Sequence, residues 1–396
     1  MNRFENPLTR QDVETVIEKS VGSGVSILGY HLTPYSDKVL GFLGAHRNLV
    51  VEALPDGSQS KRIHTYFVKS IPYHIERRAK FVKENKIFYR EARFFKFIMP
   101  ELMRSSKDKS WAAQCYLAKD DALVFEHLQL KNYKLKNKFL DVPSLKAALS
   151  SVAKMHAASV LTEKRLGKTF AEMYPSLIDE IVFTRDGPFA HGIGLGIDTA
   201  TKVAEYLGLN YEVVARVCNL IFEKILPSKT RQNVLCHGDV WLNNFMFDDK
   251  NCALVDFQLI RYVPAMTDVT QLIYYNARRE LREKCETDLL KHYHEVLCEI
   301  LKDAGEMTCP KFQDILDEYE ERRIIGIVTI NLYFPTNQVD GETLAEMIED
   351  PDRLDRLMAR DRANVVFEMM KENEGYKELI ESTVRELVEV SDKFLK

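Results

Sequence analysis

The chain has 396 residues and a formal net charge of −4 at pH 7, so no overall basic field favours nucleic acid or an anionic membrane. Hydrophobic residues make up 45% of the chain and charged residues 29%, which excludes a disordered or collagen-like protein. No run reaches the roughly 18 to 20 apolar residues of a membrane span, and the N-terminal segment lacks the apolar core of a secretory signal. At this length we expect two lobes.

The seven cysteines lie singly among apolar neighbours, and none belongs to a CxxC pair. An odd count without metal-ligand spacing favours free thiols in a reducing compartment over disulfides or a zinc site. The sequence therefore predicts a cytoplasmic protein with buried free thiols. No feature of the sequence predicts an oligomeric state.

The first third of the chain alternates short apolar runs with turn residues, which is typical of an antiparallel sheet. Pro55, Asp56 and Gly57 mark a tight turn between two of these runs. The aromatic residues from Phe88 to Phe95 recur at helical spacing. In chain order, the predicted elements are a helix over 10–20, strands over 48–54 and 64–71, a helix over 87–102, and strands over 113–118 and 122–128.

After Gln129 the apolar periodicity becomes helical. The predicted helices lie within 143–161, 211–226, 268–301, 322–334, 345–371 and 376–395. We expect an α+β fold with a small antiparallel-sheet lobe over residues 1–128 and a larger, mainly helical lobe over residues 129–396.

One strand hairpin stands out within the helical half, in VLCHGDVWLNNFMFDDKNCALVDFQL (234–259). With its turn centred in DDKN, Asn244 lies opposite Val255, so Asn244 and Asp256 leave the hairpin at the same end. An amide oxygen and a carboxylate facing one point suit Mg²⁺, which combines a few protein oxygens with phosphate and water. We therefore predict that Asn244 and Asp256 are metal ligands.

Asp239, in the motif HGD, precedes Asn244 on a loop that leads into the hairpin. A carboxylate there is suited to accept the proton of an attacking hydroxyl while metal ions neutralise a transferring phosphate. Asp and Asn also gather at turns for local hydrogen bonding alone, but this order of Asp, Asn and Asp favours phosphoryl transfer. We expect His237 to brace the loop backbone. Asp268 has two interpretations that are compatible with each other: it caps the next helix, and it braces the same loop.

Lys69 lies in the apolar strand TYFVKS, where a lone lysine needs a partner or a ligand. Glu91 follows on the next predicted helix, among aromatic residues. Either residue alone is typical of a solvated edge. Their order, ahead of the hairpin, matches the lysine and glutamate pair that positions nucleotide phosphates in kinases. We predict that both belong to the cofactor-binding site.

The rest of the nucleotide site carries weaker signals. The strand LVFEHL ends at the lobe junction, and we expect backbone groups of Glu126 to Leu128 to bind adenine, with a plain connecting strand as the alternative. The phosphate-covering loop has two candidates, the GSG at 22–24 and a tip at Tyr35 and Ser36. No GxGxxG motif decides between them.

The segments CHGDVWLNNFMF, ALVDFQ and PAMTDVTQLIY together resemble the ecdysteroid kinase-like (CHK kinase-like) family, which is related to aminoglycoside phosphotransferases and choline kinases. YFVKS, FYREARFF, LVFEHL and VAKMHAAS support this resemblance, which spans residues 20–335. The resemblance implies a bilobal protein kinase-like fold, with ATP and Mg²⁺ as cofactors. It also implies that residues 1–128 form the nucleotide-binding lobe and that residues 129–396 carry the catalytic loop and the substrate site.

The roles of family residues are carried onto matching positions. Asp239 resembles the catalytic base. Asn244 and Asp256 resemble the catalytic metal ligands. Lys69 and Glu91 resemble the phosphate-binding lysine and its ion-pair partner.

Two positions depart from familiar patterns. Gln258 replaces the glycine of the DFG motif of protein kinases, which removes backbone freedom, so we predict a constitutively assembled site. His127 stands where an acidic residue is expected after Glu126.

By resemblance, the substrate is a small hydroxylated molecule, either a steroid alcohol such as an ecdysteroid or a hydroxylated xenobiotic. Neither nucleic acid nor a membrane is expected as a partner. The alternatives are a choline- or aminoglycoside-type phosphotransferase and a non-catalytic pseudokinase. Tyr274, Tyr275, Tyr333 and Phe334 are candidates for an apolar substrate pocket or for the core.

Overall fold

The computed structural model describes residues 7–35, 44–136 and 139–395. The chain divides into two compact units. The sheet unit consists of Met1–Lys136, Ala157–Leu177 and Asn243–Ile260, and the helical unit consists of Asn137–His156, Ile178–Leu242 and Arg261–Lys396. Two later segments of chain thus belong to the sheet unit, and the boundary expected after residue 128 stays a prediction.

The strands of the described residues are β1 (Val25–Pro34), β2 (Ala45–Pro55), β3 (Arg62–Ser70), β4 (Cys115–Ala118), β5 (Ala122–Glu126), β6 (Asn233–Cys236), β7 (Phe245–Phe247), β8 (Cys252–Leu254) and β9 (Arg261–Pro264). The first five form one antiparallel sheet in the order β1-β2-β3-β5-β4. β6 pairs with β9, and β7 pairs with β8.

The helices are α1 (Arg10–Val21), α2 (Glu76–Glu84), α3 (Ile87–Arg93), α4 (Met99–Ser105), α5 (Val142–Leu166), α6 (Phe170–Met173), α7 (Pro175–Ile178), α8 (Ala190–Tyr206), α9 (Glu212–Asn219), α10 (Ile221–Lys224), α11 (Met266–Asn276), α12 (Arg279–Asp303), α13 (Phe312–Asn337), α14 (Gly341–Glu349), α15 (Pro351–Asp355), α16 (Arg362–Glu372) and α17 (Glu374–Phe394). A π-helical turn over Phe94–Ile98 joins α3 to α4. None of the helices within the described ranges is long and apolar enough to cross a lipid bilayer.

The predicted α+β class is confirmed, with an antiparallel sheet early in the chain and helices later. The predicted strands are present with shifted ends. The predicted helix over 87–102 is interrupted by the π-helical turn, and the stretches 211–226 and 345–371 are each divided into shorter helices. α8 was not predicted. β1 escapes the sequence pattern because its register shifts between Ile27 and Gly29, which interrupts the two-residue alternation of a strand. All seven cysteines are free, as predicted. Four of them are buried, but the predicted burial is wrong for Cys115, Cys285 and Cys309, which are half-buried.

One face of the five-stranded sheet packs against α1. Residues alternate along a strand between the two faces, and one set from β2, β3 and β5 meets the apolar side of α1. The resulting core contains Leu8, Val13, Val16, Ile17, Leu49, Val51, Tyr66, Val68, Ala122 and Val124. Residues of the opposite register, including Phe67 and Lys69, therefore point to the other face of the sheet.

In the helical unit, glycines let helices approach closely. A Cβ at Gly196 of α8 would lie 2.9 Å from the Cδ2 and 3.0 Å from the carbonyl oxygen of Leu332 in α13. A Cβ at Gly326 of α13 would lie 2.9 Å from the Thr270 carbonyl of α11. Because backbone atoms cannot move aside easily, glycine is required at both contacts.

We predict that Gly196→Ala destabilises the helical unit by about 1 to 3 kcal/mol, because overpacking against Leu332 outweighs the helix propensity of alanine. Gly194→Ala is the matched control on the same helix, since a Cβ there meets nothing within 4 Å. It should be neutral or stabilise by up to about 1 kcal/mol. Urea unfolding of both variants measures the difference, and equal effects would contradict the packing argument.

Candidate active site

Lys69 is the centre of a buried ion-pair network in the sheet unit. It lies near the end of β3 on the face opposite α1 and is 4% exposed. Its ammonium donates to Glu91 Oε2 at 2.7 Å and to Asp256 Oδ1 at 2.8 Å. Three residues singled out in the sequence are therefore brought together by the fold.

Glu91 is held in place from two directions. Phe94 and Phe95 follow α3, the helix that carries Glu91. The Phe94 ring stacks on Phe257 with centroids 4.9 Å apart, and the Phe95 ring lies edge to face with Phe125 at 4.8 Å. The Phe257 N–H donates to Glu91 Oε1 at 3.2 Å. Aromatic packing thus fixes α3 against the sheet so that Glu91 reaches the strand lysine.

Charge, more than burial, sets the protonation of Lys69. Burial alone lowers the pKa of a lysine, but the carboxylates of Asp256 and Glu91 outweigh this effect and hold the pKa of Lys69 above its ordinary value. Burial raises the pKa of Glu91, and the neighbouring Lys69 partly offsets that rise. Lys69 is therefore a stable cation, suited to an anionic ligand.

The β7–β8 hairpin has the predicted register. Phe245 pairs with Leu254, and the Val255 N–H donates to the Asn244 carbonyl at 3.0 Å. Asn244 and Asp256 therefore leave the hairpin at the same end, which offers an amide oxygen and a carboxylate. Asn244 is 4% exposed, and the Asp256 side chain is 27% exposed. This donor chemistry fits Mg²⁺.

The other Asp and Asn side chains of the hairpin serve its turn. Asp248 Oδ1 accepts the Lys250 N–H at 2.7 Å and the Asn251 N–H at 2.5 Å, and Asp248 Oδ2 accepts from the Asn251 amide at 3.0 Å. Local hydrogen bonding at the turn thus accounts for the pairing of Asp248 with Asn251.

Asp256 has an unusual backbone conformation. Its φ of 67° lies in the left-handed region, which aspartate tolerates better than most residues. The next side chain, Phe257, is 1% exposed and lies edge to face with Trp111 at 6.2 Å. Gln258 is also buried. The segment therefore stands in an assembled arrangement, and the expectation that it is constitutively assembled stays a prediction.

The loop that carries Asp239 belongs to the helical unit and is held by Asp268. Asp268 is fully buried, and its carboxylate accepts the His237 N–H at 2.6 Å and the Gly238 N–H at 3.0 Å. The N-cap of α11 is Ala265, and no side chain caps the helix. The helix-cap alternative for Asp268 is therefore wrong, and the loop-bracing alternative is confirmed.

Two more side chains fix peptide groups next to Asp239. His237 Nδ1 accepts the Asp239 N–H at 3.3 Å, which confirms the bracing role expected for His237. The Asn276 amide, at the end of α11, donates to the Val240 carbonyl at 2.9 Å. Asn276 was not singled out in the sequence, because an asparagine at a helix end commonly serves only as a cap.

His156 of α5 contacts the Asp268 carboxylate that binds the loop. Its Nδ1 lies 2.8 Å from the Tyr293 hydroxyl, and its Nε2 lies 3.3 Å from Asp268 Oδ2. Burial raises the pKa of a carboxylate, but the hydrogen bond from His156 and the loop N–H donors outweigh this effect and hold the pKa of Asp268 below its usual range. In the sequence, the signal for His156 was a polar residue within an apolar helical stripe.

Two of the four aromatic candidates lie near the Asp239 carboxylate. Burial raises the pKa of both Tyr275 and Tyr333, and the charge of Asp239 adds to the rise, so both hydroxyls lie within electrostatic reach of that carboxylate. Tyr333 is half-buried. Tyr274 and Phe334 are each 1% exposed and belong to the core.

The residues expected to bind adenine lie at the end of β5. The Glu126 side chain accepts the Gln114 N–H at 2.7 Å and pairs with Lys131. Leu128 is 7% exposed, and its carbonyl accepts the Tyr133 N–H at 3.1 Å. Roles for Glu126 and Leu128 in nucleotide binding stay predictions.

The glycines at 22–24 lie at the wrong end of the sheet for a phosphate loop. Lys69 is opposite His46 in β2, whereas the GSG directly precedes Val25, which pairs with Pro55. The nine positions from 46 to 55 correspond to about 30 Å of strand. This candidate is therefore wrong, because these glycines join the end of α1 to the start of β1 at the end of the strands far from Lys69.

The alternative loop tip lies at the correct end. The Tyr35 ring centroid is 6.4 Å from that of His46, which pairs with Lys69. A Cβ at Gly44 would lie 3.1 Å from Lys69 Cε, so the chain approaches the lysine closely there. Ser36 lies outside the described residues.

The sheet unit holds a buried strand lysine, its helical glutamate partner, and the hairpin amide and carboxylate, and the helical unit holds a braced loop aspartate. Each of these features is typical of kinase-like proteins. The profile of the ecdysteroid kinase-like family matches residues 47–306. The chain belongs to that family. No curated protein matches it in sequence.

Several solved structures are distantly similar. A choline kinase from Cryptosporidium parvum Iowa II has 13% identity and a TM-score of 0.43, with 94% of this chain and 97% of that chain covered. The choline kinase LicA from Streptococcus pneumoniae has 14% identity and a TM-score of 0.40, with 85% and 96% covered. The ADP-bound aminoglycoside phosphotransferase APH(2'')-Ib has 13% identity and a TM-score of 0.35, with 87% and 96% covered. These distant similarities carry no argument for function.

We predict that Lys69→Met destabilises the protein by about 3 to 5 kcal/mol, because two buried carboxylates lose the cation that they share. Lys131→Met is the control, since that lysine also pairs with a glutamate but its side chain is 60% exposed. The control should cost less than about 1 kcal/mol. Chemical unfolding measures both, and a small effect of Lys69→Met would contradict the network.

We predict that Asp268→Asn lowers stability by about 3 kcal/mol near neutral pH, because a buried acceptor of two loop N–H groups loses its charge. The pKa of Asp268 is depressed in the folded state, so its stabilising contribution is complete above the unfolded value of 3.8 and is lost as pH falls below it. The stability gap between wild type and variant should therefore shrink below pH 4. A gap independent of pH would contradict this assignment.

Proposed function

We propose that this protein is an ATP- and Mg²⁺-dependent phosphotransferase that phosphorylates a hydroxyl group of a small molecule. The acceptor is a steroid alcohol of the ecdysteroid type or a hydroxylated xenobiotic. The observation that carries the proposal is the buried contact of Lys69 with Glu91 and Asp256. We also propose a cytoplasmic location for the protein, which its free thiols support.

The network supports a role in binding nucleotide phosphates. A lysine held as a cation by two carboxylates supplies a fixed positive charge without reorganisation. Gly44 lets the backbone approach the Lys69 side chain, and a Cβ there would lie 3.1 Å from Lys69 Cε. We assign Lys69 to the phosphates of ATP, and Glu91 to its orientation.

The metal is assigned to the end of the hairpin. Asn244 and Asp256 supply a neutral and a charged oxygen, which suits an ion that also binds phosphate and water. When bound, Mg²⁺ neutralises negative charge on the phosphate groups. The left-handed backbone of Asp256 directs its carboxylate toward Lys69. We therefore assign this one carboxylate to two cations, the Lys69 ammonium and Mg²⁺.

Asp239 is assigned as the base. The acceptor oxygen forms a bond to the γ-phosphorus, its proton passes to the Asp239 carboxylate, and the bond from the γ-phosphorus to the ADP oxygen breaks. The braces on either side of Asp239 keep this carboxylate in a fixed orientation. Such preorganisation supports catalysis because no reorganisation is needed during reaction.

The surroundings of Asp239 carry charges of both signs. Tyr275 and Tyr333 offer aromatic surface, and the carboxylates of Asp239 and Glu180 and the cations Arg261 and Arg362 all act on the Tyr333 hydroxyl. A quaternary ammonium group requires an aromatic or acidic cage, and these opposing charges do not separate choline from a neutral alcohol. The family, and not the local charge, supports a steroid-like alcohol as the acceptor.

We predict that the wild type transfers the labelled γ-phosphate of ATP to a steroid alcohol and that Asp239→Asn lowers kcat by about 100-fold or more, because the base is lost. A panel of ecdysteroids, other sterols, choline and aminoglycosides measures acceptor choice. Asp239→Asn should still bind MgATP, which isothermal titration measures.

The controls separate the alternatives. Asp198→Asn removes an exposed aspartate that pairs with Lys202 on the surface of α8, and it should leave turnover unchanged. Transfer to choline alone would overturn the proposed acceptor class. Binding of MgATP without transfer to any alcohol, in wild type and Asp239→Asn alike, would support the pseudokinase alternative.

A further inference from the structure

Arg261 is a buried arginine that contacts the loop of Asp239. It is the first residue of β9, opposite Cys236 of β6, and it is 2% exposed. Its Nη2 donates to the Gly238 carbonyl at 2.8 Å. Gly238 directly precedes Asp239 and has a φ of 81°, a left-handed conformation suited to glycine.

The guanidinium is oriented by a glutamate from another part of the helical unit. Arg261 Nη1 lies 2.9 Å from Glu180 Oε2, and the two side chains are 2% and 6% exposed. Glu180 Oε1 accepts the Val182 N–H at 2.7 Å and the Phe183 N–H at 2.8 Å. One carboxylate therefore fixes both the turn over residues 180–183 and the arginine.

The same turn places an aromatic side chain beside the arginine. The Phe183 ring centroid lies 5.6 Å from the Arg261 guanidinium carbon and 6.3 Å from the centroid of the Tyr333 ring. Tyr333 is half-buried, and its hydroxyl lies within electrostatic reach of Asp239. Arg261 thus contacts both the loop of Asp239 and the Phe183 ring, which lies edge to face with Tyr333.

We propose that Arg261 is a positioning residue for Asp239, which it holds through the Gly238 carbonyl and couples to the turn that carries Phe183. This inference rests on the proposed phosphotransfer function. Glu180 attracts the guanidinium as a close ion-pair partner of Nη1, while Nη2 makes the hydrogen bond to the Gly238 carbonyl. A lysine cannot satisfy both partners from one ammonium with the same fixed geometry.

The test compares Arg261→Lys with Arg282→Lys. Arg282 is an equally buried arginine of the same unit that donates to the Ala277 carbonyl at 2.8 Å and pairs with Glu386, so it matches the chemistry of Arg261 elsewhere. Both variants should lose similar stability. Arg261→Lys should lower kcat by about 100-fold with little change in KM for ATP, because a small displacement of a catalytic group is costly. Arg282→Lys should keep kcat within about two-fold.

Glu180→Gln is the second variant. Its amide oxygen can still accept the turn N–H groups, but it loses the charge that orients Arg261. It should lower kcat in the same direction as Arg261→Lys, again with little change in KM. A loss of kcat in Arg261→Lys no larger than that in Arg282→Lys would overturn the inference.

Amide hydrogen exchange of residues 237–240 gives a readout that needs no turnover. Exchange of this segment should be faster in Arg261→Lys and Glu180→Gln than in wild type, and unchanged in Arg282→Lys. Unchanged exchange in the Arg261 variant would overturn the inference whether or not the protein is active. If the wild type showed no phosphotransfer, the proposed function would be wrong. The exchange comparison would still test the positioning role of Arg261, because it does not depend on turnover.

Discussion

A lysine ammonium taken out of water must meet opposite charge, and Lys69 meets two carboxylates. Glu91 comes from a helix 22 positions away in sequence and Asp256 from a hairpin 187 positions away. The strand, the helix and the hairpin must therefore all be in place before the charge is compensated. Formation of this site and folding of the sheet unit are consequently one process.

The loop of Asp239 is also held by contacts with distant residues, but here the groups that need partners are buried peptide N–H and C=O groups. Irregular backbone that is buried must find hydrogen-bond partners, and this loop finds them in side chains. Asp268 takes two N–H groups, Arg261 and Asn276 each donate to a carbonyl, and all three follow the loop in sequence. The peptide groups of the loop thus have buried partners, which is the support that the base proposed at Asp239 requires.

Local patterns misled where a residue type has two common uses. The GSG at 22–24 suggested a phosphate loop, but glycines also end helices, and Gly22 does so after α1. Asp268 suggested a helix cap, but its carboxylate points to the loop instead. In both places the role of the residue depends on which elements lie next to it in the fold, and a single stretch of sequence does not show this.

The sequence by itself determined the class of the fold, the family, and the pairing of Asn244 with Val255. Helical and strand periodicity and the turn of a hairpin are set by neighbours along the chain, so they can be read from it. Only the tertiary structure decided that Asp268 braces the loop, and that Arg261 and Asn276 take part at all. Those contacts join residues that are distant in sequence, and they form because burial forces each polar group to find a partner.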